Sequence, residues 1–321
     1  MPIDVSVIVP TSDRKIMLER CLGSLLDQTY PKEKMEIIIV DDRADGKIAI
    51  ISDNLRSRYP NIRYFAQYNK GPAIARNLGI GSSVGEIIAF VDDDCVVDKT
   101  WIERIVEGHQ GNPDIIAIGG DTIVYASKIP ILVSQFLSTC SIETFIDNKK
   151  EVIFFPTCNV SFKREIFLKY KFNEQFPFPG GEDLELFWCL YKDGYRFIWD
   201  KKMKAIHYRD KSLFSFLKQA YMYGRGNLLA QHIHKDHPLL KELKADKSLF
   251  WLSMVINIVK IPRFSYILGN RLLKDMQEKG ISVILSVYAH FVLHKVFYIA
   301  GNIREFFRIR NGIYVKSYVQ S

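Results

Sequence analysis

The chain has 321 residues, 48% hydrophobic and 25% charged, which excludes a disordered or fibrous protein and leaves room for a large α/β domain with an extension. Its five cysteines, Cys21, Cys95, Cys140, Cys158 and Cys189, are odd in number, widely spaced and without a CxxC pair, which argues against a disulfide scaffold or a zinc knuckle and for a reducing compartment. The net charge of +8 is confined to the last quarter: residues 1–234 hold 30 basic and 30 acidic side chains, residues 235–321 hold 14 and 6.

The chain opens with "MPIDVSVIVP", a strand pattern rather than a signal peptide. "KIMLERCLGSLLDQT" then reads as an amphipathic helix and "MEIIIVDD" as a buried strand. A helix over roughly 46–59 leads to the short strand "IRYFA". "GPAIARNLGIGSS" is a helix opened by Gly-Pro, and "EIIAFVDDD" is a further strand. Helices alternating with almost purely apolar strands predict a parallel sheet covered on both faces. Such sheets bind ligands at the carboxyl ends of their strands. Three of those ends carry polar groups here: Thr11 with Asp13, Asp41 with Asp42, and Asp92 to Asp94.

The middle, from about residue 115 to 208, is less regular. It holds the strand "IIAIGGDT", an apolar segment around 129–145, "FFPTCNVSFKREIF", and a glycine-rich loop feeding the helix of "PGGEDLELFWCLYKDGYRF". From residue 213 the pattern is helical, and "LFWLSMVINIVKI" and "ISVILSVYAHFVLHKVFYIAGNI" are strongly apolar. The first is short for a membrane span and the second is interrupted by His290, His294 and Lys295. With Arg304, Arg308 and Arg310 following, the tail is expected to lie on an anionic membrane surface, an ordinary helical subdomain or a dimer face being the other reading of its apolar faces.

Three adjacent aspartates repel one another, and burying one unpaired costs several kcal/mol. Oxygen ligands at a strand end suit a hard divalent cation such as Mg²⁺ or Mn²⁺, although a solvated acidic turn reads the same way. On an extended chain Asp92 and Asp94 point to one side and Asp93 to the other, which makes Asp92 and Asp94 the expected working pair. "GIGSSVG" mimics a dinucleotide-binding loop, but it follows a helix and precedes a strand, the reverse of what that motif needs. "NVS" at 159–161 matches a glycosylation sequon and is expected to carry no sugar in an intracellular chain.

The order of motifs resembles family 2 glycosyltransferases, inverting enzymes of GT-A fold that use nucleotide-sugar donors. The resemblance covers roughly Val5 to Arg225. It implies an α/β fold: a GT-A-type, Rossmann-like nucleotide-binding sheet with helices on both faces, followed by a C-terminal helical extension. The expected boundaries are 1–212 for the transferase domain, with 1–110 binding the donor and 111–212 the acceptor, and 213–321 for the basic, apolar extension. "VSVIVPTSDR" looks like the family's first strand and loop, which places Pro10, Thr11, Asp13 and Arg14 at the nucleotide. "IIIVDDRADG" is similar to its second strand, with Asp41 or Asp42 on the base or ribose, but Arg43 stands where the family usually has glycine. "NKGPAIARNLGI" implies backbone approach at Gly71 and a phosphate or acidic partner for Arg76. "FVDDDCVVD" resembles the DxD motif: Asp92 and Asp93 at the donor, Asp94 and Asp92 at the metal.

Farther along, "GGEDLELFWCLYKDGYRF" is similar to the family's Glu-Asp motif, which implies Asp183 as catalytic base and Glu182 orienting the acceptor. "IHYRDKSLFSFLKQAYMYGRG" implies His207 as a further metal ligand and Arg225 as a candidate phosphate contact, against structural readings of both.

The expectation is a transferase requiring Mn²⁺ or Mg²⁺ that moves a sugar, from UDP by preference, to a glycan or lipid-linked acceptor in polysaccharide or glycolipid synthesis. It is expected on the cytoplasmic face of the cell membrane, held peripherally through residues 235–321. Nucleic acid is not an expected partner, because the basic region is interleaved with apolar runs. The alternatives are a sugar-phosphate nucleotidyltransferase, which lacks its glycine-rich loop in "PTSDRK", and a catalytically silent glycan-binding or scaffold subunit.

Overall fold

The structure is a computed structural model describing residues 2–57, 59–125, 129, 132–133, 137, 152–176, 178–208, 212–237, 258–275 and 280–313. Most of the apolar segment expected around 129–145, most of "LFWLSMVINIVKI", and Cys140 lie outside the described residues. The chain forms two compact units. One comprises Met1–Ala126, Leu137–Pro177 and Asp183–Asp210, the other Ser127–Phe136, Phe178–Glu182 and Lys211–Ser321.

The first unit is built on an eight-stranded sheet. Its elements in chain order are β1 (Val5–Thr11), α1 (Lys15–Leu26), β2 (Met35–Asp41), α2 (Lys47–Arg56), β3 (Ile62–Ala66), α3 (Pro72–Ser82), β4 (Ile87–Phe90), β5 (Cys95–Val97), α4 (Trp101–Gly111), β6 (Ala117–Tyr125), β7 (Val160–Lys163), α5 (Glu182–Lys192) and β8 (Phe197–Tyr208). The strand order is β3-β2-β1-β4-β7-β6-β8-β5. The first four strands run parallel, as their apolar runs predict. Beyond β4 the sheet is mixed, with β7 antiparallel to both β4 and β6, and β5 antiparallel to β8.

Period-2 alternation explains the two-sided cover. Val5, Val7 and Val9 of β1 join one core cluster with Leu18, Cys21, Leu22 and Leu25 of α1 and Trp101, Ile102 and Ile105 of α4. Ile8 points the other way, where α3 approaches so closely that a Cβ on Gly79 would overlap its side chain. β2 is buried along its whole length, and the two carboxylates it carries are paired there, Glu36 with Ser6 and Arg63 and Asp41 with Tyr64. Asn159 of the sequon is also core, with Oδ1 accepting from Trp101 Nε1 at 2.8 Å and Nδ2 donating to the Asp121 and Met203 carbonyls. At 1% exposure it is out of reach of any glycosylating enzyme.

His109 of α4 sits in this core, its Nε2 3.1 Å from Ser161 Oγ. Burial, helped by the charge of Lys163, lowers its pKa to about 4. A depressed histidine contributes stability above its unfolded value of about 6.5 that is lost as pH falls toward its folded value. The stake is about 3 kcal/mol at 1.36 kcal/mol per pH unit. His109→Phe is therefore expected to flatten the melting temperature between about pH 6.5 and about pH 4. An unchanged slope in that variant would reject histidine burial as the cause.

The second unit is helical where described: α6 (Leu213–Ile233), α7 (Ile261–Asp275) and α8 (Ile281–Arg310). Ser212 caps α6, its hydroxyl accepting from Ser215 N at 3.2 Å. Helices α6 and α8 meet through small residues, since a Cβ on Gly224 would overlap the Tyr298 carbonyl and one on Gly301 the Tyr221 carbonyl. Asn227 Nδ2 donates to Tyr298 Oη at 2.7 Å across the same contact.

Candidate active site

Parallel register brings the ends of β1, β2 and β4 side by side, with Thr11 opposite Asp41 and Ile8 opposite Phe90. The aspartate run continues from β4, but not as an extended chain. Cys95 N donates to the Asp92 carbonyl at 3.0 Å, so Asp92 to Asp94 form a turn. The chain is therefore not extended there, yet Asp92 and Asp94 still converge with His207 while Asp93 stands apart from them. Asp93, expected to point away, is fully buried and points back toward β1. There Thr11 Oγ1 donates to its Oδ2 at 2.6 Å.

Arg14 clamps the turn. Its Nη2 lies 2.5 Å from Asp93 Oδ1 and its Nη1 2.5 Å from Asp94 Oδ2. Burial pushes the Asp93 carboxyl up to about 7 against the pull of that guanidinium. Arg76, buried at the start of α3, holds Asp92 Oδ1 at 3.4 Å and lies over the Phe172 ring. Asp94 Oδ1 in turn lies 2.7 Å from Nε2 of His207, near the end of β8. The turn is fixed there as well, since Tyr208 N donates to the Asp94 carbonyl at 2.7 Å.

Arg14→Ala leaves the buried Asp93 with Thr11 as its remaining bond to β1. A fully buried pair stripped of one partner loses about 3–5 kcal/mol. Arg14 is itself half exposed, which reduces the expected loss to about 1–3 kcal/mol. Because the raised carboxyl resists ionisation, the loss should deepen as pH rises through about 7. Denaturant melts of the variant and parent across that range check it, and an equal loss at every pH would disprove the clamp.

The other residues expected on the donor side make local contacts at the neighbouring strand ends. Asp41 is buried, accepting from Arg43 N at 2.9 Å and Tyr64 Oη at 3.0 Å. Asp42 ties down the loop before α3, taking Gln67 Nε2, Lys70 N and Gly71 N. That loop needs left-handed backbone at Asn69 and at Gly71, whose φ values are 45° and 90°. Asp13 is also left-handed, at φ 56°, and its carboxylate meets Arg43 at 2.8 Å and Lys47 at 3.5 Å. Arg43 thus pairs with Asp13, a partnership thirty residues apart that no local pattern announces. Pro10 is half-buried opposite Val40.

Asp92, Asp94 and His207 each place one donor atom within 4.8 Å of the others. Two carboxylates and one imidazole are a fitting set for a Mn²⁺- or Mg²⁺-class cation that completes its shell with phosphate and water.

Asp183 stands on the first turn of α5, half-buried, where its Oδ1 accepts from Leu184 N at 2.9 Å. In the second unit, Gly180 and Gly181 take φ of +126° and +98°, and Glu182 Oε2 accepts from Gly180 N at 2.7 Å. A Cβ on Gly226 of α6 would overlap the Gly180 carbonyl, so backbone meets backbone there. The Arg225 guanidinium lies 4.0 Å above the Phe178 ring, and its Nε donates to buried Glu305 of α8 at 2.6 Å.

The Glycosyl transferase family 2 model matches residues 6–170. A glucosyl-dolichyl phosphate glucuronosyltransferase from Haloferax volcanii is 28% identical over 53% of this chain and 55% of its own length. A GalNAc(5)-diNAcBac-PP-undecaprenol beta-1,3-glucosyltransferase from Campylobacter jejuni is 26% identical over 74% of this chain and 76% of its own. The chain thus spans about half the length of the Haloferax relative. A mannosyltransferase from Pyrobaculum calidifontis, solved with GDP-Man and Mn²⁺, superimposes with a TM-score of 0.63 at 15% identity, over 95% of this chain and 89% of that one. That likeness identifies the mixed sheet as a GT-A fold. With its matched region running from β1 past β7 over half of its length, the chain belongs to glycosyl transferase family 2.

Proposed function

We propose that this protein transfers a sugar, with inversion, from a nucleotide-sugar to a hydroxyl of a glycan or lipid-linked acceptor, and that it requires Mn²⁺ or Mg²⁺. The observation that carries the proposal is the convergence of Asp92, Asp94 and His207 beside a turn clamped by Arg14, within a family 2 chain. Bound there, the cation would neutralise charge developing on the departing diphosphate, a contribution worth several kcal/mol.

The protein's own residues do the rest. Pro10, Thr11, Asp13 and Arg14 line the base and ribose end, with Asp41 and Asp42 shaping the loops on which the nucleotide rests. Gly71 admits backbone close to the donor, and Arg76 steadies Asp92. Asp183 takes the proton of the acceptor hydroxyl. Its place at a helix N-terminus favours the ionised form that a base needs. Glu182 orients the acceptor, and Arg225 holds the second unit's loop through Phe178.

The Haloferax and Campylobacter relatives are named for a dolichyl phosphate and an undecaprenyl diphosphate substrate, which favours a lipid-linked acceptor here. Helix α8 agrees with that assignment. It is 30 residues long with a mean hydropathy of 1.6 over its most apolar stretch, of which 17% is buried. Ile281, Leu285, Val296 and Phe297 are exposed along it, and Arg304, Arg308 and Arg310 follow. We place this helix in the interface of an anionic leaflet on the cytoplasmic side, each basic residue adding about 1 kcal/mol of attraction.

Thermal melts with UDP, GDP and their sugar conjugates, with and without Mn²⁺, test the reading. A nucleotide at about 100 times its dissociation constant adds about 2.7 kcal/mol. A shift for one diphosphate that requires Mn²⁺ is expected, with UDP the favoured base. If no nucleotide shifts the melt in either condition, the transferase reading fails and a silent scaffold replaces it.

A further inference from the structure

His207 belongs to a second cluster that the transfer chemistry does not use. Its ring, the thiol of Cys95 and the thiol of Cys158 also place one donor atom each within 4.8 Å of one another. All three residues are buried, and both cysteines are free. The sheet brings them together. Cys95 of β5 is the direct antiparallel partner of His207 on β8, so the two side chains share a face. Thr122 of β6 pairs with Ala205, two residues before His207 on that same face, and its Oγ1 lies 3.8 Å from Cys158 Sγ. Cys158 thus reaches the cluster from the segment before β7.

The donor chemistry here differs in kind from that of the aspartate turn. Two sulfurs and an imidazole are soft ligands, the set that selects Zn²⁺ and its congeners over Mg²⁺ or Mn²⁺. Two thiolates also cancel the charge of a divalent ion. This suits the location, because both cysteines belong to the apolar core cluster that contains Met203 and Ala205. Binding would expel two thiol protons, and the Thr122 hydroxyl is placed to support one sulfur.

We propose that Cys95, Cys158 and His207 form a second cation site, selective for a thiophilic divalent ion of the Zn²⁺ class. Because His207 cannot serve both clusters at once, filling this site withdraws a ligand from Asp92 and Asp94. Zinc then acts as an inhibitor of a manganese-supported reaction. The competition, though not the site, rests on the cation reading of Asp92, Asp94 and His207.

The test is a Cd²⁺ titration of the reduced, chelator-treated full chain, following thiolate-to-metal charge transfer in the ultraviolet. One Cd²⁺ per chain is expected to give the band. Cys95→Ser with Cys158→Ser should abolish it although Cys21, Cys140 and Cys189 remain, and Asp92→Asn should retain it. A band that persists in the double variant, or one that Asp92→Asn removes, overturns the site. Should the double variant fail to fold, X-ray absorption of the Zn²⁺-loaded parent decides, with two sulfurs expected at about 2.3 Å and nitrogen or oxygen at about 2.0–2.1 Å. Fewer than two sulfurs rejects the proposal. Adding Mn²⁺ separates the two readings: a Cd²⁺ band that weakens supports the shared histidine, and an unchanged one with two sulfurs bound rejects the competition. A chain that binds Cd²⁺ in this way yet takes up no nucleotide would sink the transferase reading and leave the site standing.

Discussion

Asp183→Asn is expected to lower kcat by about 10²–10⁴-fold, the usual worth of a positioned base, with little change in KM for the donor. The substitution is close to isosteric, and the bond that places the side chain survives it. Asp183 Oδ1 accepts from Leu184 N, and an amide oxygen can accept equally well. What disappears is the ability to take a proton from the acceptor hydroxyl. The pH–rate profile should lose its acidic limb in the variant, which a merely structural side chain would not cause. Initial rates over pH, alongside a melting curve matching the parent, make the measurement. A kcat within a few-fold of the parent would remove Asp183 from the reaction and turn attention to Glu182.

The second large effect is expected at Asp94. Its carboxylate meets Arg14 through one oxygen and His207 through the other, so it links the clamp on the turn to the imidazole of β8. Asp94→Asn keeps the shape but removes the charge that both partners need. If a cation contributes several kcal/mol at this position, the rate should fall by about 10³-fold, since each 1.36 kcal/mol is a factor of ten. The Mn²⁺ concentration for half-maximal rate should rise in parallel, and the nucleotide-dependent melting shift should no longer respond to Mn²⁺. Asp93→Asn serves as the contrast: its contacts with Thr11 and Arg14 assign it to the scaffold of the turn, so its cost is expected in stability rather than in metal response. Reversal of that pattern would transfer the metal role from Asp94 to Asp93.

The parts legible in the sequence were those written in short-range periodicity. The apolar runs of β1, β2 and β4, and the amphipathic α1 and α3, needed no more than the spacing of Val5 to Val9 or Leu18 to Leu25. The polar strand ends were equally plain. What the sequence withheld was non-local. Nothing near residue 160 states that β7 enters the sheet antiparallel to β4, since that pairing joins Phe90 to Val160 across seventy residues. The rule of alternating side chains presumes a strand, whereas the bond from Cys95 N to the Asp92 carbonyl makes a turn, so the burial of Asp93 against Thr11 and Arg14 was not readable from spacing. Arg14 was readable as a donor-side residue, but not as the cation that offsets repulsion between Asp93 and Asp94 eighty positions away. Cys158 gave no signal, because only the register of β5, β6 and β8 places it near His207.

The stretch Phe178–Glu182 has a consequence for engineering. Left-handed Gly181 meets the Gly226 backbone like a tongue in a slot, while left-handed Gly180 lies against the Tyr223 ring. Grafting these five residues from a relative, in the hope of importing its acceptor preference, would bring a tongue cut for another slot. The transplantable unit is the loop together with the α6 turn around Tyr223 to Gly226 and the Arg225–Glu305 anchor behind it. Exchanged as a set, these pieces would carry Glu182 to its new acceptor on its own foundation.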